Sequence, residues 1–489
     1  MSTRPACQSV ALRSADEDWS HDRLRAAVHA LARGLSGDGV RVLATLLDNG
    51  PAWVIADAAA AESGVVHVPL PLFFSPAQVA HALCAAGVDT LLVAPAMAAR
   101  WPDAPAQHFP LAGEPVVMLR LRAAPATMPA GTAKVTFTSG TTGAPKGVCL
   151  RAAALHAVTH GLLQALAPLQ LRSHLCALPL AVLLENVAGL ATALAHGACC
   201  TVLPLQRLGW SGSSQLDVAR FDAVVRQVRP HSVIVLPQML RGWAGWLQQR
   251  GMRAPDSLKL VAVGGAPVGV HAIHAARTLG LPAYEGYGLS EGASVQTFNL
   301  PGSDRPGSVG RALPHAQLRV ADDGELLVAG ALFAGYLGDR DVPPPWWPTG
   351  DLGRIDDQGY VHVLGRKKHV LITAFGRNIS PEWVETALRG EPALAQAVVF
   401  GDGEPALSAV LWPQHATSPD AALQAAVQAA NAALPDYARV QRWVRARADF
   451  SAETGMATAN ARPQRAAIWQ RHADALVASD QPTPQLSRA

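Results

Sequence analysis

Cysteine is scarce in this chain, and its spacing excludes the common cysteine chemistries. The 489 residues include six cysteines, with no CxxC pair and no cysteine and histidine cluster at zinc-ligand spacing. This pattern is typical of small core residues in a reducing compartment, rather than of a disulfide scaffold or a zinc site. We therefore expect free thiols and a cytoplasmic location.

Charge and long apolar runs are also lacking. Charged residues make up 16% of the chain and the formal net charge is +3, with no lysine and arginine stripe that would follow the phosphates of a nucleic acid. The amino terminus has no signal-peptide segment, and Glu185, Asn186 and His196 interrupt the most apolar region before it reaches the roughly 18 residues of a spanning helix. We expect neither a nucleic-acid partner nor a transmembrane segment.

Apolar residues, at 49% of the chain, are plentiful enough for a large core and an additional smaller one. Over the first 300 or so residues, short buried strands alternate with helices that begin after Ser20, at Pro51 and after Ser75. This alternation predicts an α/β fold with mostly parallel sheets flanked by helices. Past Gly310, strands joined by DDG and DDQG turns predict a small antiparallel module.

The last ~120 residues can form a small α+β domain of their own. In it, Ser380 is expected to cap and Pro381 to open a helix, followed by two strands, an alanine-rich helix near residues 419 to 433, and a polar tail. We place the division at an N-terminal domain of residues 1–366 and a C-terminal domain of residues 367–489.

The segment FTSGTTGAPKGV, Phe137 to Val148, indicates an anion site. Its glycines let the backbone present successive N–H groups toward one point, and its hydroxyls can donate to phosphate oxygens. Lys146 adds a mobile positive charge suited to the end of a triphosphate. The segment is not a P-loop, because Gly147 stands where that motif has the serine or threonine that holds magnesium.

This segment closely resembles the phosphate-binding signature of the adenylate-forming superfamily, which includes acyl-CoA synthetases, peptide synthetase adenylation domains and firefly luciferase. Further stretches resemble its other motifs in the same order across residues 40 to 465: VAVGGAPV, YEGYGLSEG, RPGSVGRALP, TGDLGRIDDQGYV, LGRKKH and FGRNISPEWVE. The residues in these motifs are most similar to those of the branch that contains long-chain fatty acyl-CoA synthetases and acyl carrier protein ligases.

The resemblance implies a set of site residues. Lys146, Glu291 and Arg462 are implied to be catalytic, with Glu291 also holding Mg²⁺. The residues implied to bind ATP are Thr138, Ser139, Gly140, Thr141, Thr142 and Gly143 of the glycine loop, Gly265, Ala266 and Pro267 at the adenine, and Tyr287, Gly288 and Ser290 of the YGLSEG motif. Asp351 is implied to bind the ribose, and Arg366 either the ribose or the α-phosphate. An aromatic ring suits a base, and a hard carboxylate suits magnesium.

The resemblance also implies a two-step reaction in which a small mobile C-terminal domain swings between steps. ATP first converts a carboxylic acid into an acyl adenylate with release of pyrophosphate, and a thiol then takes the acyl group with release of AMP. Lys368 matches the hinge, and Gly376 matches the position where a missing side chain lets the thiol approach. The thiol donor is either coenzyme A or the phosphopantetheine arm of an acyl carrier protein.

One departure from the family concerns the C-terminal catalytic lysine. Aligning Thr458 and Arg465 on that motif puts Ala461 in place of its glycine and Arg462 in place of its lysine. An arginine keeps the charge but changes the geometry of hydrogen bonding. Adenylation that is slower, adenylation that uses Arg462, and loss of adenylation are therefore all open.

The segment LPLAVLLENVAGL resembles the LPLAHxxER segment of the long-chain branch, which favours a fatty or other apolar acid. It offers no aspartate to pair the ammonium group of an amino acid. Val182 replaces the usual histidine, so an aryl acid stays open. Trp346 and Trp347 are expected near the nucleotide because they closely precede TGD.

The sequence leaves one alternative function open and disfavours another. The first is a noncatalytic binding protein for a nucleotide or an acyl adenylate that lost turnover through the change at Arg462. The second is a dehydrogenase with a dinucleotide crevice, which the sequence disfavours because no GxGxxG opens a helix after the first strand.

Overall fold

The structure is a computed structural model. It describes residues 10–138, 145–211, 215–339, 341–372, 378–402, 404, 406–458 and 461–478. Within these ranges, every helix is too short or too polar to cross a lipid bilayer.

The helices and strands are numbered in chain order. The helices are α1 (His21–Gly37), α2 (Pro51–Ser63), α3 (Pro76–Ala85), α4 (Pro95–Ala98), α5 (Ala152–Leu166), α6 (Thr192–Ala195), α7 (Val218–Val228), α8 (Pro237–Gln249), α9 (Val270–Thr278), α10 (Pro381–Arg389), α11 (Asp420–Ala432) and α12 (Arg465–Ala478). The first strands are β1 (Val10–Arg13), β2 (Asp18–Ser20), β3 (Val42–Leu46), β4 (Val66–Pro69), β5 (Thr90–Val93), β6 (Ala106–Leu111), β7 (Glu114–Arg120), β8 (Thr132–Thr138), β9 (Lys146–Arg151), β10 (Ser173–Cys176), β11 (Cys199–Val202), β12 (Trp210–Ser211), β13 (Gln215–Leu216) and β14 (Ser232–Val235). The remaining strands are β15 (Leu260–Val263), β16 (Ala283–Leu289), β17 (Ser294–Phe298), β18 (Arg311–Ala312), β19 (Ala316–Val320), β20 (Glu325–Gly330), β21 (Gly335–Tyr336), β22 (Trp347–Ile355), β23 (Val361–Arg366), β24 (Leu371–Ile372), β25 (Asn378–Ile379), β26 (Leu394–Phe400), β27 (Leu407–Pro413) and β28 (Val440–Arg445).

Two large sheets form the N-terminal part. One has the strand order β21-β9-β8-β4-β3-β5-β7-β6, and the other β18-β17-β16-β15-β14-β10-β11-β1-β2. Their central strands are parallel and almost wholly apolar, as expected for strands covered on both faces, while their outer strands pair antiparallel. The predicted α/β fold class is confirmed, with more antiparallel pairing at the edges than the sequence suggested.

The predicted helix starts are confirmed by their caps. The Ser20 hydroxyl accepts a hydrogen bond from the Arg23 backbone N–H at the start of α1, and Pro51 opens α2. Ser75 and Gln78 form a reciprocal capping box at the start of α3. Local sequence therefore determines where these helices begin.

The small antiparallel module is the sheet β19-β20-β22-β23, and the C-terminal part contains the sheet β26-β27-β28 with α10, α11 and α12. Pro381 opens α10 as predicted, but the Ser380 side chain makes no capping bond and its hydroxyl donates to Glu382 Oε2 at 3.1 Å. The predicted polar tail is wrong, because β28 and α12 occupy that stretch and bury Ile468 and Leu476.

Two other features differ from the expectation. Leu184–Ala191 is a π-helix, a conformation that often marks functional sites and that hydrophobic periodicity does not reveal. None of the described cysteines forms a disulfide; Cys149, Cys176, Cys199 and Cys200 are buried, whereas Cys84 is exposed on α3 and is not a core residue.

A largely buried polar network joins the two large sheets. Asp57 on α2 accepts hydrogen bonds from His67 Nδ1 at 2.6 Å and from Asn186 Nδ2 at 3.0 Å, and it pairs with Lys134 Nζ at 2.7 Å. His67 Nε2 lies 2.9 Å from the Thr45 hydroxyl, so its partners satisfy both ring nitrogens. Burial raises the pKa of Asp57, but Lys134 and His67 outweigh burial and hold that pKa well below its ordinary value.

Lys134→Met is expected to lower the free energy of unfolding by about 3 to 5 kcal/mol, because it leaves Asp57 as a buried charge without its cation. Urea unfolding followed by circular dichroism measures the change. The control is Lys259→Met, which removes an exposed lysine and is expected to change stability far less. Asp57→Asn added to Lys134→Met should recover part of the loss, and a Lys134→Met protein as stable as the native chain would contradict the assignment.

Candidate functional site

A cavity of about 640 Å³ opens where the parallel strands of the nine-stranded sheet end. In open α/β sheets, the carboxyl ends of the strands are the usual position of a ligand site. Gly264 and Gly265 after β15, and Tyr287 to Glu291 at the end of β16, line this cavity. Thr138, the last residue of β8, lines it from the other large sheet.

The glycine loop is only partly described. Thr138 and Lys146 are the ends of the antiparallel strands β8 and β9 and pair with each other. Ser139, Gly140, Thr141, Thr142 and Gly143 lie outside the described residues, so their predicted role in binding phosphate stays a prediction.

Three predicted residues meet at one corner of the cavity. Asp351 Oδ2 accepts a hydrogen bond of 2.7 Å from the Tyr287 hydroxyl, and its Oδ1 lies 3.0 Å from Arg366 Nε. Burial raises the pKa of Asp351, although Arg366 and Tyr287 oppose that effect. Burial and the adjacent carboxylate of Asp351 raise the pKa of Tyr287, which therefore remains a hydrogen-bond donor.

A second corner is formed by Glu291 in the single-turn helix Ser290–Gly292. Glu291 Oε1 accepts a hydrogen bond of 2.7 Å from the Tyr336 hydroxyl, and Lys146 Nζ lies 5.1 Å from the centre of the Tyr336 ring. The next two residues, Ala293 and Ser294, have φ of 58° and 128°. Strained backbone of this kind clusters at functional sites.

Arg462 reaches the same cavity from the C-terminal part of the chain, together with Ala461. Burial and the Arg366 guanidinium lower the pKa of Arg462, whereas Asp351 and Glu291 raise it. The cation predicted at this position is therefore close to the carboxylates of Asp351 and Glu291. Ala461 adopts a left-handed φ of 55°, which supports its alignment with a glycine of the motif.

The remaining predicted residues take up varied positions. Gly265 has φ of 86° and lies on the cavity wall, and the exposed Ala266 and Pro267 follow it. Gly288 and Ser290 both line the cavity, and a Cβ at Gly288 would lie 2.1 Å from the Ser294 carbonyl oxygen. This position therefore requires glycine.

The predicted hinge follows β23. Lys368 is exposed in a single-turn helix, next to Lys367, which pairs with Glu325 at 2.7 Å. Gly365, the second-last residue of β23, has φ of 148°. A Cβ at Gly365 would lie 1.7 Å from the Ser380 hydroxyl oxygen. Gly376 lies outside the described residues.

An apolar branch of the cavity extends beneath α5 and the π-helix. Its wall includes Val182 and Leu184, together with Leu162, Leu166, Leu260 and Phe298. Leu260 and Ser232 are the first residues of β15 and β14, whereas Gly264 and Leu236 follow the last residues of the same strands. The branch therefore runs along the strands for roughly 13 Å, at about 3.3 Å per residue.

Sequence reasoning missed two groups at the cavity. Tyr336 lies in the stretch GYL of residues 335–337, and nothing in its position along the sequence indicates a contact with Glu291. His174 and Glu185 form a buried pair at 2.8 Å, and the second carboxylate oxygen of Glu185 accepts the N–H groups of Ala177 and Leu178. A glutamate within an apolar run was the available signal for this pair, which anchors the π-helix to β10.

The two tryptophans that precede the TGD motif make different contacts. Trp347 stacks edge-on against Phe333 at 4.7 Å and lies 6.1 Å from Tyr336, which places it behind Glu291. Trp346 instead packs under the Arg319 guanidinium at 4.4 Å. Their predicted position near the nucleotide stays a prediction.

The chain has two large α/β sheets with a charged cleft at the ends of their strands. Arg462, from the C-terminal part, lines this cleft. These features define a two-part α/β fold. The chain belongs to the AMP-binding enzyme family. Residues 2–337 match the model of that family, and residues 368–478 match the model of the AMP-binding enzyme C-terminal domain. The resemblance deduced from the sequence motifs is thereby confirmed.

Relatives with assigned functions are CoA ligases for several acids. A long-chain-fatty-acid–CoA ligase of Mycobacterium bovis is 36% identical over 242 residues, which cover 43% of this chain and 40% of the relative. The chain thus spans less than half of the length of that relative in the match. A feruloyl-CoA synthase of Amycolatopsis is 28% identical over 443 residues, covering 82% of this chain and 84% of the relative.

Solved structures share the fold over nearly the whole chain. The o-succinylbenzoate CoA synthetase of Bacillus subtilis, solved with its acyl-adenylate intermediate, has a TM-score of 0.74 at 21% identity and covers 98% of this chain and 96% of its own. The same protein solved with ATP and magnesium has a TM-score of 0.70 at 24% identity, covering 90% and 93%. At these identities the likeness shows the fold alone.

The buried Glu285 yields a prediction about pH. Its Oε1 accepts the Val268 backbone N–H at 3.1 Å, and burial raises its pKa to about 7. A carboxyl whose pKa is raised in the folded state destabilises the protein as pH rises from its unfolded value of about 4.3 toward 7. Glu285→Gln keeps the acceptor and removes the charge.

We expect the stability advantage of Glu285→Gln over the native chain to grow by about 2 kcal/mol between pH 5.5 and pH 8. Urea unfolding at both pH values measures it. Glu453→Gln, at an exposed position, is the control and should show no such growth. Equal pH dependence in the native chain and Glu285→Gln would refute the raised pKa.

Proposed function

We propose that the protein uses ATP to activate a carboxylic acid and then transfers the acyl group to the thiol of coenzyme A. The observation that carries this proposal is the meeting of Asp351, Arg366, Glu291 and Arg462 at the mouth of one apolar branch. Such a site can hold a nucleotide at its charged end and an apolar acid in its branch. Membership in the AMP-binding enzyme family and the CoA ligase relatives support it.

In the first step, a carboxylate oxygen of the acid attacks the α-phosphorus of ATP. The bond from that phosphorus to the bridging oxygen breaks, and pyrophosphate leaves with the electron pair. Arg462 and Lys146 balance the negative charge that gathers on the phosphate oxygens. In the second step, the sulfur of the thiol, which loses its proton, bonds to the acyl carbon, and AMP leaves.

The site residues have matching roles in this proposal. Asp351 offers carboxylate oxygens to the ribose hydroxyls, Tyr287 stacks on the base, and Gly265, Ala266 and Pro267 border the adenine. Thr138 and the glycine loop after it hold the phosphates.

Glu291 is suited to hold Mg²⁺. Its Oε2 has no hydrogen-bond partner among the described residues, and carboxylate oxygens are ligands that Mg²⁺ prefers. When bound, the ion neutralises phosphate charge.

The apolar branch favours a fatty or similar extended acid over an aryl acid. Its path of roughly 13 Å along β14 and β15 is longer than a single aromatic ring needs. Val182, at the position where the long-chain motif has histidine, extends the apolar wall. An aryl acid is the second candidate, supported by the feruloyl-CoA relative.

Coenzyme A is the proposed acceptor because the relatives are CoA ligases, and a carrier protein is not proposed. We retain the division of the chain at residues 366 and 367, with Lys368 as the hinge and Gly376 at the thiol entrance. The noncatalytic alternative is less well supported, because Arg462 keeps a cation at the cavity.

Pyrophosphate exchange across a panel of fatty and aryl acids tests the function. We expect exchange that depends on a fatty acid, a loss of about 100-fold in Arg462→Ala and in Glu291→Gln, and a loss of no more than about tenfold in Arg462→Lys. Arg319→Ala, remote from the cavity, is the control. ATP binding in calorimetry with no exchange on any acid would establish the noncatalytic alternative instead.

The path of the apolar branch predicts a change in chain-length preference. Ala262 lies in the middle of β15 on the branch wall, so Ala262→Phe should block the far part of the branch. We expect kcat/KM to fall more than about tenfold for long-chain acids and to stay nearly constant for butyrate, with Ala262→Val intermediate. Equal losses for all chain lengths would show that the acid does not follow β15.

A further inference from the structure

Tyr336 contacts both proposed catalytic groups at the second corner. Its hydroxyl donates to Glu291 Oε1 at 2.7 Å, and its ring lies 5.1 Å from Lys146 Nζ. Tyr336 and Lys146 come close because β21 pairs with β9. This pairing places Tyr336 opposite Val148, which lies two residues after Lys146. Neither contact requires a ligand.

The Tyr336 ring is held by its neighbours. It meets Phe333 edge-on at 5.1 Å and Trp347 at 6.1 Å, and Phe333 and Trp347 meet at 4.7 Å. The Phe333 backbone N–H also donates to the Glu291 carbonyl oxygen at 2.7 Å. The same short segment therefore positions both the backbone and the side chain of Glu291.

The Tyr336 hydroxyl selects which carboxylate oxygen of Glu291 is free. Oε1 already accepts this hydrogen bond, whereas Oε2 has no partner among the described residues and keeps both of its lone pairs for a metal ion. A second contact of this kind that orients a metal-binding carboxylate commonly changes metal affinity or activity by roughly 10- to 100-fold when it is removed. The ring face attracts the Lys146 ammonium through its negative quadrupole.

We propose that Tyr336 is a positioning residue that sets Glu291 to bind Mg²⁺ through Oε2 and holds the Lys146 ammonium over its ring. This inference rests on the proposed function, because that function assigns Glu291 to the metal and Lys146 to the phosphates. The Tyr336 hydroxyl orients Glu291 for the metal, and the Tyr336 ring positions the Lys146 ammonium. Two substitutions can therefore separate the two roles.

The experiment is calorimetric binding of ATP with and without Mg²⁺. In Tyr336→Phe, which keeps the ring, we expect metal-free ATP to bind as in the native chain and the gain in affinity from Mg²⁺ to fall about tenfold. In Tyr336→Leu, which loses the ring as well, metal-free ATP should also bind about threefold more weakly. Tyr284→Phe is the matched control, because Tyr284 packs against Arg277 away from the cavity.

A double-mutant cycle separates positioning from general disruption. In a Glu291→Gln background, Tyr336→Phe should produce no further loss of the Mg²⁺ effect, because the group that it positions is gone. A Tyr336→Phe protein with the native Mg²⁺ effect, or equal losses with and without Glu291, would overturn the inference. Glu291→Gln with a native Mg²⁺ effect would instead overturn the metal site of the proposed function.

Discussion

The largely buried charge of Asp57 constrains how the two large sheets meet. Its carboxylate is held at once by α2, by β4 through His67, by β8 through Lys134 and by the π-helix through Asn186. A charge in such a place is tolerated only when its partners stay close, so these elements cannot shift independently. The same contacts position two walls of the cavity, because β8 leads into the glycine loop and the π-helix covers the apolar branch. Among the described residues, Asp57, His67, Lys134 and Asn186 do not line the cavity, so this network supports the site from behind its walls.

The charged end of the cavity holds cations close together, which suits it to a polyphosphate. Arg366 lies close enough to Arg462 to disfavour the charge of Arg462, and the carboxylates of Asp351 and Glu291 partly counter this effect. Preorganised charge of this kind is commonly the largest contribution to catalysis of group transfer. The apolar branch continues from this charged end along β14 and β15.

Local signals in the sequence were enough for most of the elements and for many of the residues that line the cavity. The Ser20 and Ser75 caps, the Pro51 and Pro381 helix starts and the buried strand runs all follow from interactions within a few residues. The π-helix, the edge pairing of β21 with β9 and the helix α12 depend on contacts distant in sequence, so periodicity did not reveal them. The same is true of Tyr336, whose importance comes from a partner 45 residues away. The roles of all the predicted site residues, described or not, and the division after residue 366 stay predictions.

The loop that carries Arg462 shows how the departure from the family motif is accommodated. Ala461 takes a left-handed φ of 55° that costs an alanine about 1 to 2 kcal/mol, where glycine would adopt it freely. Thr458 compensates by closing the loop: its N–H donates to the Arg462 carbonyl at 2.8 Å, its carbonyl accepts the Ala461 N–H at 2.8 Å, and its hydroxyl accepts the Arg462 N–H at 3.2 Å. The backbone therefore keeps a glycine-type turn without glycine, and the cation still reaches the cavity. Because arginine presents a planar fork rather than a single ammonium, Arg462 keeps the positive charge at this position but changes the geometry of the hydrogen bonds that the position can donate.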